Sequence, residues 1–394
     1  MSDISLVLLA AGSSTRFSSE LSSPCKKQFL RLGKDSLWQF VTKRLMKAHD
    51  FAEVIVVLPQ NAPKMQMKGV TFVTGAQERS ASLGAALAHV KSPWVMVSDV
   101  SRPLVPRSLI NHLVWAKEGF LSEKEFLYKD LEYACISPAL RRSDAVFYEG
   151  SYLDRNALLH IQTPQLSRSE ALKTALSLGN FIDDSSAIAS LNKGLAFIKG
   201  SEKAEKLTYK KDLALLKKYR PSRASFIGQG FDVHEFCKSS AGRPVCEDRE
   251  LVLAGLRLGK GFGLKAHSDG DVVAHALCDA LLGAAKLGDI GGLFPDSDAK
   301  NKGLNSMDML RKVTELIAEL GFVVQNADLC IICEVPRLGP FKAKMAQNLE
   351  EVLKAPVNVK ASSAERLGSL GRAEGIAVLC NVSLGFFDWT KERG

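Results

Sequence analysis

No apolar run in this sequence approaches the ~20 residues that a helical membrane span needs, so no membrane partner is expected. The apolar stretch Ile4–Ala11 lies close to the N-terminus, but no basic flank precedes it and no small-residue cleavage site follows it. It is read as a first strand and not as a signal peptide, which places the chain in the cytoplasm. Internal repeats and low-complexity segments are also missing. Charge is not missing: the formal net charge is +9, which suits nucleic acid, an acidic membrane face or small polyanionic substrates alike. The aromatic–basic interleaving and reading motifs of nucleic-acid binders are absent, so no nucleic-acid partner is expected. The lysines of 203–218 are interleaved with Leu207, Leu213, Leu215 and Leu216 at helical spacing, the pattern of a solvated helix face.

What is present has the balance of a soluble globular protein, 46% hydrophobic and 24% charged. A length of 394 residues exceeds what one hydrophobic core usually organises, so two domains are expected. The eight cysteines of a cytosolic chain stay reduced. Cys330 and Cys333 form a C-x-x-C inside a strand-like run, which points them to opposite faces and argues for small buried hydrophobes over chelation or redox pairing.

Up to about residue 200, short β-rich runs alternate with helical patterns, the signature of an α/β domain with a mostly parallel sheet. Strands are expected at Ile4–Leu9, Val54–Leu58, Val70–Val73, Trp94–Ser98, Ala134–Pro138 and Leu195–Ile198, with helices at Leu37–His49 and Arg79–Lys91. A last helix, Lys210–Tyr219, is stopped by Pro221. After Ala224 the pattern becomes α+β. Strands are expected at Ser225–Val233, Leu251–Leu258, Val323–Glu334, Val357–Ser362 and Ile376–Leu384, and helices at Asp271–Lys286, Ser306–Leu320 and Phe341–Leu353. The expected division is 1–215, a linker at 216–223, and 224–394.

The first strand opens into Leu9-Ala10-Ala11-Gly12-Ser13-Ser14-Thr15-Arg16, followed by Lys26-Lys27-Gln28-Phe29. A small-residue loop lets backbone N–H groups close on phosphate oxygens, and Arg16 and Lys27 can neutralise the remaining charge. A-A-G-x-x-x-R followed by K-Q-F resembles the signature of the methylerythritol-phosphate cytidylyltransferases, with a Rossmann-like fold. Gly75-Ala76-Gln77-Glu78-Arg79-Ser80-Ala81-Ser82, Ser98-Asp99-Val100-Ser101-Arg102-Pro103, Asp154-Arg155-Asn156, Thr163-Pro164-Gln165 and Lys206-Leu207-Thr208 follow in the family order. The resemblance implies that Arg16 and Lys27 stabilise charge on the phosphates of CTP, with Lys206 assisting at the α-phosphate. It implies Asp99 as a Mg²⁺ and ribose ligand, and Ala10, Ala11, Gly12, Gly75 and Ser82 about the nucleotide. Arg102 and Arg155 are expected to bind substrate, Arg155 at the phosphate of methylerythritol phosphate. The attacking phosphate is already anionic, so this chemistry needs positioning and charge neutralisation and no general base. Leu9, Ser14 and Ala145 depart from the family's proline, glycine and threonine.

In Gly230-Phe231-Asp232-Val233-His234, Asp232 and His234 share one strand face. Downstream, Ala266-His267-Ser268-Asp269-Gly270-Asp271 leads into a helix on which Asp271, His275 and Asp279 recur at four-residue steps. One carboxylate and two imidazoles make three metal ligands with a position left open, the pattern of a catalytic zinc site. With G-D-I-G-x-L-F-P-D at 288–296, N-V-K-A at 358–361 and G-R-x-E-G at 371–375, the set resembles the 2-C-methyl-D-erythritol 2,4-cyclodiphosphate synthases. That resemblance implies Zn²⁺ on Asp232, His234 and His275, and Mg²⁺ on Glu365. His267 and Ser268 would orient the methylerythritol phosphate, Asp289 would hydrogen-bond the ribose, Gly291 would bind substrate, and Pro336, Arg337 and Ala361 would meet the cytosine. Ser362, Ser363 and Arg372 would contact phosphates. Ser369 stands where the family commonly has phenylalanine. Family members are trimers with sites between subunits, so a homo-oligomer is expected, a trimer of C-terminal domains or a hexamer. Two other readings stand beside this one: a nucleotidyltransferase for another polyol phosphate fused to a zinc phosphohydrolase, and an enzyme in which one domain serves assembly only.

Overall fold

The structure is a computed structural model that describes residues 2–393 apart from Lys64, Leu131, Arg142, Lys238, 241–242, 245–248, His267, Asp296 and 298–302. Its described residues cluster into two compact units, one within 2–22, 26–221 and 388–393, the other within 23–25 and 222–387. The division differs from the expected one in giving 388–393 to the first unit and 23–25 to the second, and in parting the expected linker after Pro221.

The first unit is built on a nine-stranded sheet. Its strands are β1 (Ile4–Leu9), β2 (Val54–Leu58), β3 (Thr71–Thr74), β4 (Trp94–Asp99), β5 (Phe126–Lys129), β6 (Tyr133–Leu140), β9 (His160–Ile161), β10 (Gln165–Arg168) and β11 (Gly194–Lys199). A separate hairpin, β7 (Val146–Tyr148) and β8 (Ser151–Leu153), lies between β6 and β9. The order β3-β2-β1-β4-β10-β6-β11-β5, with β9 beside β6, runs parallel from β3 to β4. β1, β2 and β4 are apolar and buried on both faces, as a parallel strand flanked by helices must be. β10 is antiparallel to β4 and β6. Its residues Gln165, Leu166 and Ser167 are buried, yet so polar and short a run carries no strand pattern to read. Helices α1 (Leu37–Ala48), α2 (Arg79–Leu87), α3 (Arg107–Glu118), α4 (Ser169–Leu176) and α5 (Asp184–Ala189) complete the unit. The helix expected over Lys210–Tyr219 is a 3₁₀ segment, Lys210–Leu216. Its buried residues are Leu213 and Leu216, three apart, which is the 3₁₀ period. α2 stops at Leu87, short of the expected Lys91, as the chain tightens toward Pro93.

The second unit has a four-stranded sheet, β12 (Phe226–Glu235), β17 (Gly375–Phe386), β15 (Phe322–Ile332) and β16 (Val357–Ser362), in that spatial order. The expected strand Leu251–Leu258 is instead a hairpin of β13 (Glu250–Leu253) and β14 (Leu256–Lys260). The reversal sits at Ala254 and Gly255, both at positive φ, 50° and 72°, as a two-residue hairpin turn demands. Helices α6 (Val272–Ala285), α7 (Ser306–Glu319) and α8 (Lys342–Leu353) cover this unit. Cys330 is half-buried, Cys333 is buried, and both are free thiols, in keeping with opposite faces.

Candidate active sites

In the first unit a cavity of about 580 Å³ opens at the carboxyl ends of β1 and β4, where open α/β sheets place ligands. Gly12, Ser13, Ser14, Thr15, Arg16, Lys27, Asp99, Arg102 and Lys206 line it, so all four residues expected to be catalytic share one space. The loop after β1 is braced from below by Gln28, which is 1% exposed. Its amide donates to the Gly12 carbonyl at 3.0 Å, and its oxygen accepts from the Ser14 hydroxyl at 2.9 Å. Ser14 has φ 62°, the left-handed region that favours glycine, so the family's glycine at this place has a backbone reason. The hydroxyl bond to Gln28 offsets part of the strain, which is about 1–2 kcal/mol.

Electrostatics organise the cavity around one carboxylate. Lys206 Nζ lies 3.2 Å from Asp99 and Arg79 Nε 3.9 Å from it. Burial alone would raise the Asp99 pKa, but Lys206 and Arg79 outweigh it and hold the carboxyl below its ordinary range. Lys27 donates to the Leu207 carbonyl at 2.9 Å, and burial together with Lys206 and Arg16 presses its pKa down to about 8. Arg102 donates to Thr163 Oγ1 at 3.0 Å and to the Ala204 carbonyl.

The remaining expected residues of this unit lie outside that lining. Ala10 is buried, and a Cβ on Gly75 would stand 2.3 Å from the Cβ of Ala11, so only glycine lets these two segments touch. The Ser82 hydroxyl accepts from the Ala76 N–H at 2.9 Å, which fixes the turn after Gly75. Arg155 is exposed just beyond β8 and donates to the Ser143 carbonyl at 3.0 Å. Arg79 is the cavity cation to which the sequence assigned no role; its pairing with buried Asp184 at 3.1 Å could be found only in three dimensions.

The site of the second unit begins with two glycines. A Cβ on Gly228 would lie 1.9 Å from the Ala280 carbonyl oxygen, and one on Gly230 1.8 Å from that of Ala276. Glycines on the strand and alanines at four-residue steps on α6 bring the two backbones together. Asp232 and His234 continue the same strand face, so the close contact delivers them to His275, one residue before Ala276. Ligand atoms of Asp232, His234 and His275 all lie within 4.8 Å of one another. Asp232 Oδ2 is 3.1 Å from His234 Nε2 and 3.2 Å from His275 Nδ1. Burial would raise the Asp232 pKa, but hydrogen bonds from both histidines carry it well below the ordinary carboxylate range.

Each imidazole is oriented through its far nitrogen. His234 Nδ1 meets the Lys265 carbonyl at 2.8 Å, so that nitrogen carries a proton and Nε2 is the nitrogen directed at Asp232. His275 Nε2 meets the hydroxyls of Ser306 at 3.0 Å and Ser268 at 3.2 Å. The Ser306 hydroxyl also bonds Asp269. A donor set of one carboxylate oxygen and two imidazole nitrogens, with outer nitrogens satisfied, fits a divalent metal ion. Of the residues at four-residue steps, only His275 joins the triad. Asp271 is the buried N-cap of α6, accepting from Ala254, Gly255, Val273 and Ala274, and Asp279 accepts from the Ile290 N–H at 2.7 Å.

Asp289 caps the short turn Ile290–Leu293 that contains Gly291, accepting from Gly292 at 2.8 Å. Pro336 and Arg337 follow β15, and the Pro336 carbonyl accepts from the Cys333 thiol at 3.7 Å. Ala361, Ser362 and Ser363 are exposed at the end of β16, where Ser363 bonds Glu365. Arg372 pairs with Glu374 at 2.7 Å. Register links Asp232 to Val378, Val378 to Ile331 and Ile331 to Ala361. The triad and the Ala361–Ser363 group thus lie at the same end of the sheet, three strand spacings or about 14 Å apart. His267 lies outside the described residues.

Residues 4–220 match the family described as 2-C-methyl-D-erythritol 4-phosphate cytidylyltransferase, and residues 225–385 match the YgbB family. The chain is 44% identical to the bifunctional enzyme IspD/IspF of Campylobacter jejuni subsp. doylei, over 99% of this chain and 100% of the relative. It is 41% identical to that of a Nitratiruptor species at the same coverage. Among solved structures, the bifunctional IspDF from Campylobacter jejuni superposes with a TM-score of 0.85 at 44% identity, over 99% of this chain and 100% of that one. A cation-lined cavity at the head of a mostly parallel sheet, a carboxylate–imidazole triad that could hold a metal ion in a separate α+β unit, and whole-length likeness to enzymes that join the two together place this chain in the bifunctional IspD/IspF family of isoprenoid-precursor enzymes.

Proposed function

We propose that the first unit joins CTP and 2-C-methyl-D-erythritol 4-phosphate to give the CDP-alcohol and diphosphate. Once a separate kinase has phosphorylated the CDP-alcohol at its 2-position, the second unit converts it to 2-C-methyl-D-erythritol 2,4-cyclodiphosphate and CMP. The observation that carries the reading is common to both sites: positive or metal-binding groups gather about one point, and neither transfer requires a side chain to deprotonate the nucleophile. In the first, a phosphate oxygen of the acceptor attacks the α-phosphorus of CTP. Arg16, Lys27 and Lys206 hold the phosphates in line and stabilise the charge that builds up as diphosphate leaves. Asp99, at the rim with Lys206, is suited to share a Mg²⁺ held mainly by substrate phosphates.

In the second, Asp232, His234 and His275 would hold Zn²⁺, and Glu365 would hold a Mg²⁺ through one carboxylate and the diphosphate. A bound metal supplies Lewis-acid polarisation of the phosphate under attack. The chain's own residues orient the pieces: Ser306 and Lys265 fix the imidazoles, and the Ala361–Ser363 group with Arg372 offers donors to the nucleotide end. We further propose a homo-oligomer. β12 turns Ile227, Phe231 and Val233 outward, 79%, 56% and 52% exposed, on the face opposite α6. An apolar face of an open sheet is covered in a stable protein, and a second copy covers it while bringing its own loops. The seven described cysteines are all free thiols, which supports a cytoplasmic location.

The test uses the full chain with CTP and a panel of polyol phosphates for diphosphate release, and with the 2-phosphorylated CDP-alcohol for CMP release. Lys27→Ala is expected to abolish only the first activity and His275→Ala only the second. Preference for another polyol phosphate would replace the substrate assignment, and loss of both activities from either change would end the two-site reading.

A further inference from the structure

The mechanism proposed for the first unit needs three cations in one cavity, and like charges stay together only where something else holds their backbones. Arg16 and Lys27 flank one stretch of chain, and Lys206 lies far from both in sequence. The residues that follow β17, Asp388–Arg393, bond to the chain near each of them. Glu392 accepts from the Ser22 N–H at 3.4 Å and from its hydroxyl, and pairs with Lys210 at 2.9 Å. Fully buried Trp389 donates its indole N–H to the Arg31 carbonyl at 2.8 Å, two residues beyond the turn Lys27–Phe29. Arg393 lies 4.6 Å over the Trp389 ring and donates to the carbonyls of Leu216 at 2.7 Å, Tyr219 at 3.0 Å and Lys217 at 3.2 Å.

Those carbonyls close the 3₁₀ segment Lys210–Leu216, whose other end reaches the cavity. Asp212 accepts from Thr208 and Tyr209, each at 2.7 Å, and Leu207, between Lys206 and Thr208, takes the hydrogen bond of Lys27. We infer that the C-terminal segment is a positioning element of the cytidylyltransferase site: Trp389, Glu392 and Arg393 hold the segments carrying Arg16, Lys27 and Lys206 at the spacing the triphosphate requires. This rests on the function proposed above for the first unit. The segment touches no reacting atom in this scheme. It acts through the chain behind each cation, and it makes an activity encoded in the first part of the sequence depend on residues 388–393.

The experiment compares the full chain with one ending at Phe387 and with Glu392→Gln and Arg393→Ala, following diphosphate release, CMP release and thermal melting. For the first activity, kcat/KM is expected to fall on the order of 10-fold in each point variant and 10²-fold in the shortened chain. CMP release stays at the parent level. A peptide of residues 386–393 added to the shortened chain restores part of the loss. The pH profile is a readout that lower stability alone would not move. When the segments part, Lys27 is relieved of burial and of the charges of Lys206 and Arg16 while Asp99 remains its countercharge, so the alkaline limb shifts upward. Parent kcat/KM and an unshifted limb in folded variants overturn the inference and leave the assigned function intact. Should the shortened chain fail to fold, the two point variants decide alone. A parent chain with no CTP-dependent diphosphate release overturns both.

Discussion

Burial, and then the charges of Lys206 and Arg16, press the Lys27 ammonium from its ordinary value to about 8. The unfolded chain keeps this lysine protonated to about 10.5, so between these values the folded state binds fewer protons and stability rises with pH. At neutral pH the charge is therefore carried at a cost to the fold, and in the proposed mechanism it serves the triphosphate. Lys27→Met should melt about 2–4 °C higher at pH 7 while losing on the order of 10²-fold or more in diphosphate release. In the parent, release should decline as pH rises through about 8, the window in which Lys27 loses its proton. A flat profile from pH 7 to 10 would remove Lys27 from the charge-stabilising role. In the second unit the corresponding residue is Ser306, which links Asp269 to His275. Ser306→Ala should lower Zn²⁺ affinity about 10- to 100-fold in a chelator competition titration, and unchanged affinity would show that the imidazole needs no such guide.

At the scale of elements, the metal-binding triad depends on how closely β12 and α6 approach. Gly228 and Gly230 meet Ala280 and Ala276 with no room for a side chain. Gly230→Ala must push the helix off the strand or twist one of them. A loss of about 1–3 kcal/mol is expected in chemical denaturation of the second unit, together with weakened metal binding, since His275 rides on the displaced helix. A variant that unfolds and binds metal like the parent would mean that the helix tolerates a shift its packing gives no sign of. The glycines do a different task in the first unit, where Gly75 lets its turn press on Ala11 beneath the nucleotide loop.

For the whole molecule, the contact we propose between copies lies on the outward face of β12. Phe231→Glu places a charge on the proposed contact between copies, which like charges and desolvation both oppose. Light scattering should show a smaller species, and CMP release should fall while diphosphate release by the first unit holds. An unchanged mass with unchanged CMP release would move the interface elsewhere. Within one chain the triad and the Ala361–Ser363 group stand three strand spacings apart, which is why this activity is expected to track assembly.

The residues with chemistry were legible because their spacing carries the geometry: D-x-H on a strand puts two ligands on one face whatever the fold around them. The nucleotide loop was legible for the same reason, being local and short. Strand β10 was not, because Gln165, Leu166 and Ser167 are buried by neighbours and not by their own pattern. Nor did periodicity distinguish His275, a member of the triad, from Asp271, a cap, although both lie on the same helical face; the glycine-lined contact with β12 separates them. Local order therefore named the ingredients of both sites. Partners remote in sequence, Arg79 with Asp184, Ser306 with His275, and Trp389 with Arg31, were decided by packing, because no spacing along a chain encodes which distant surfaces will exclude water together.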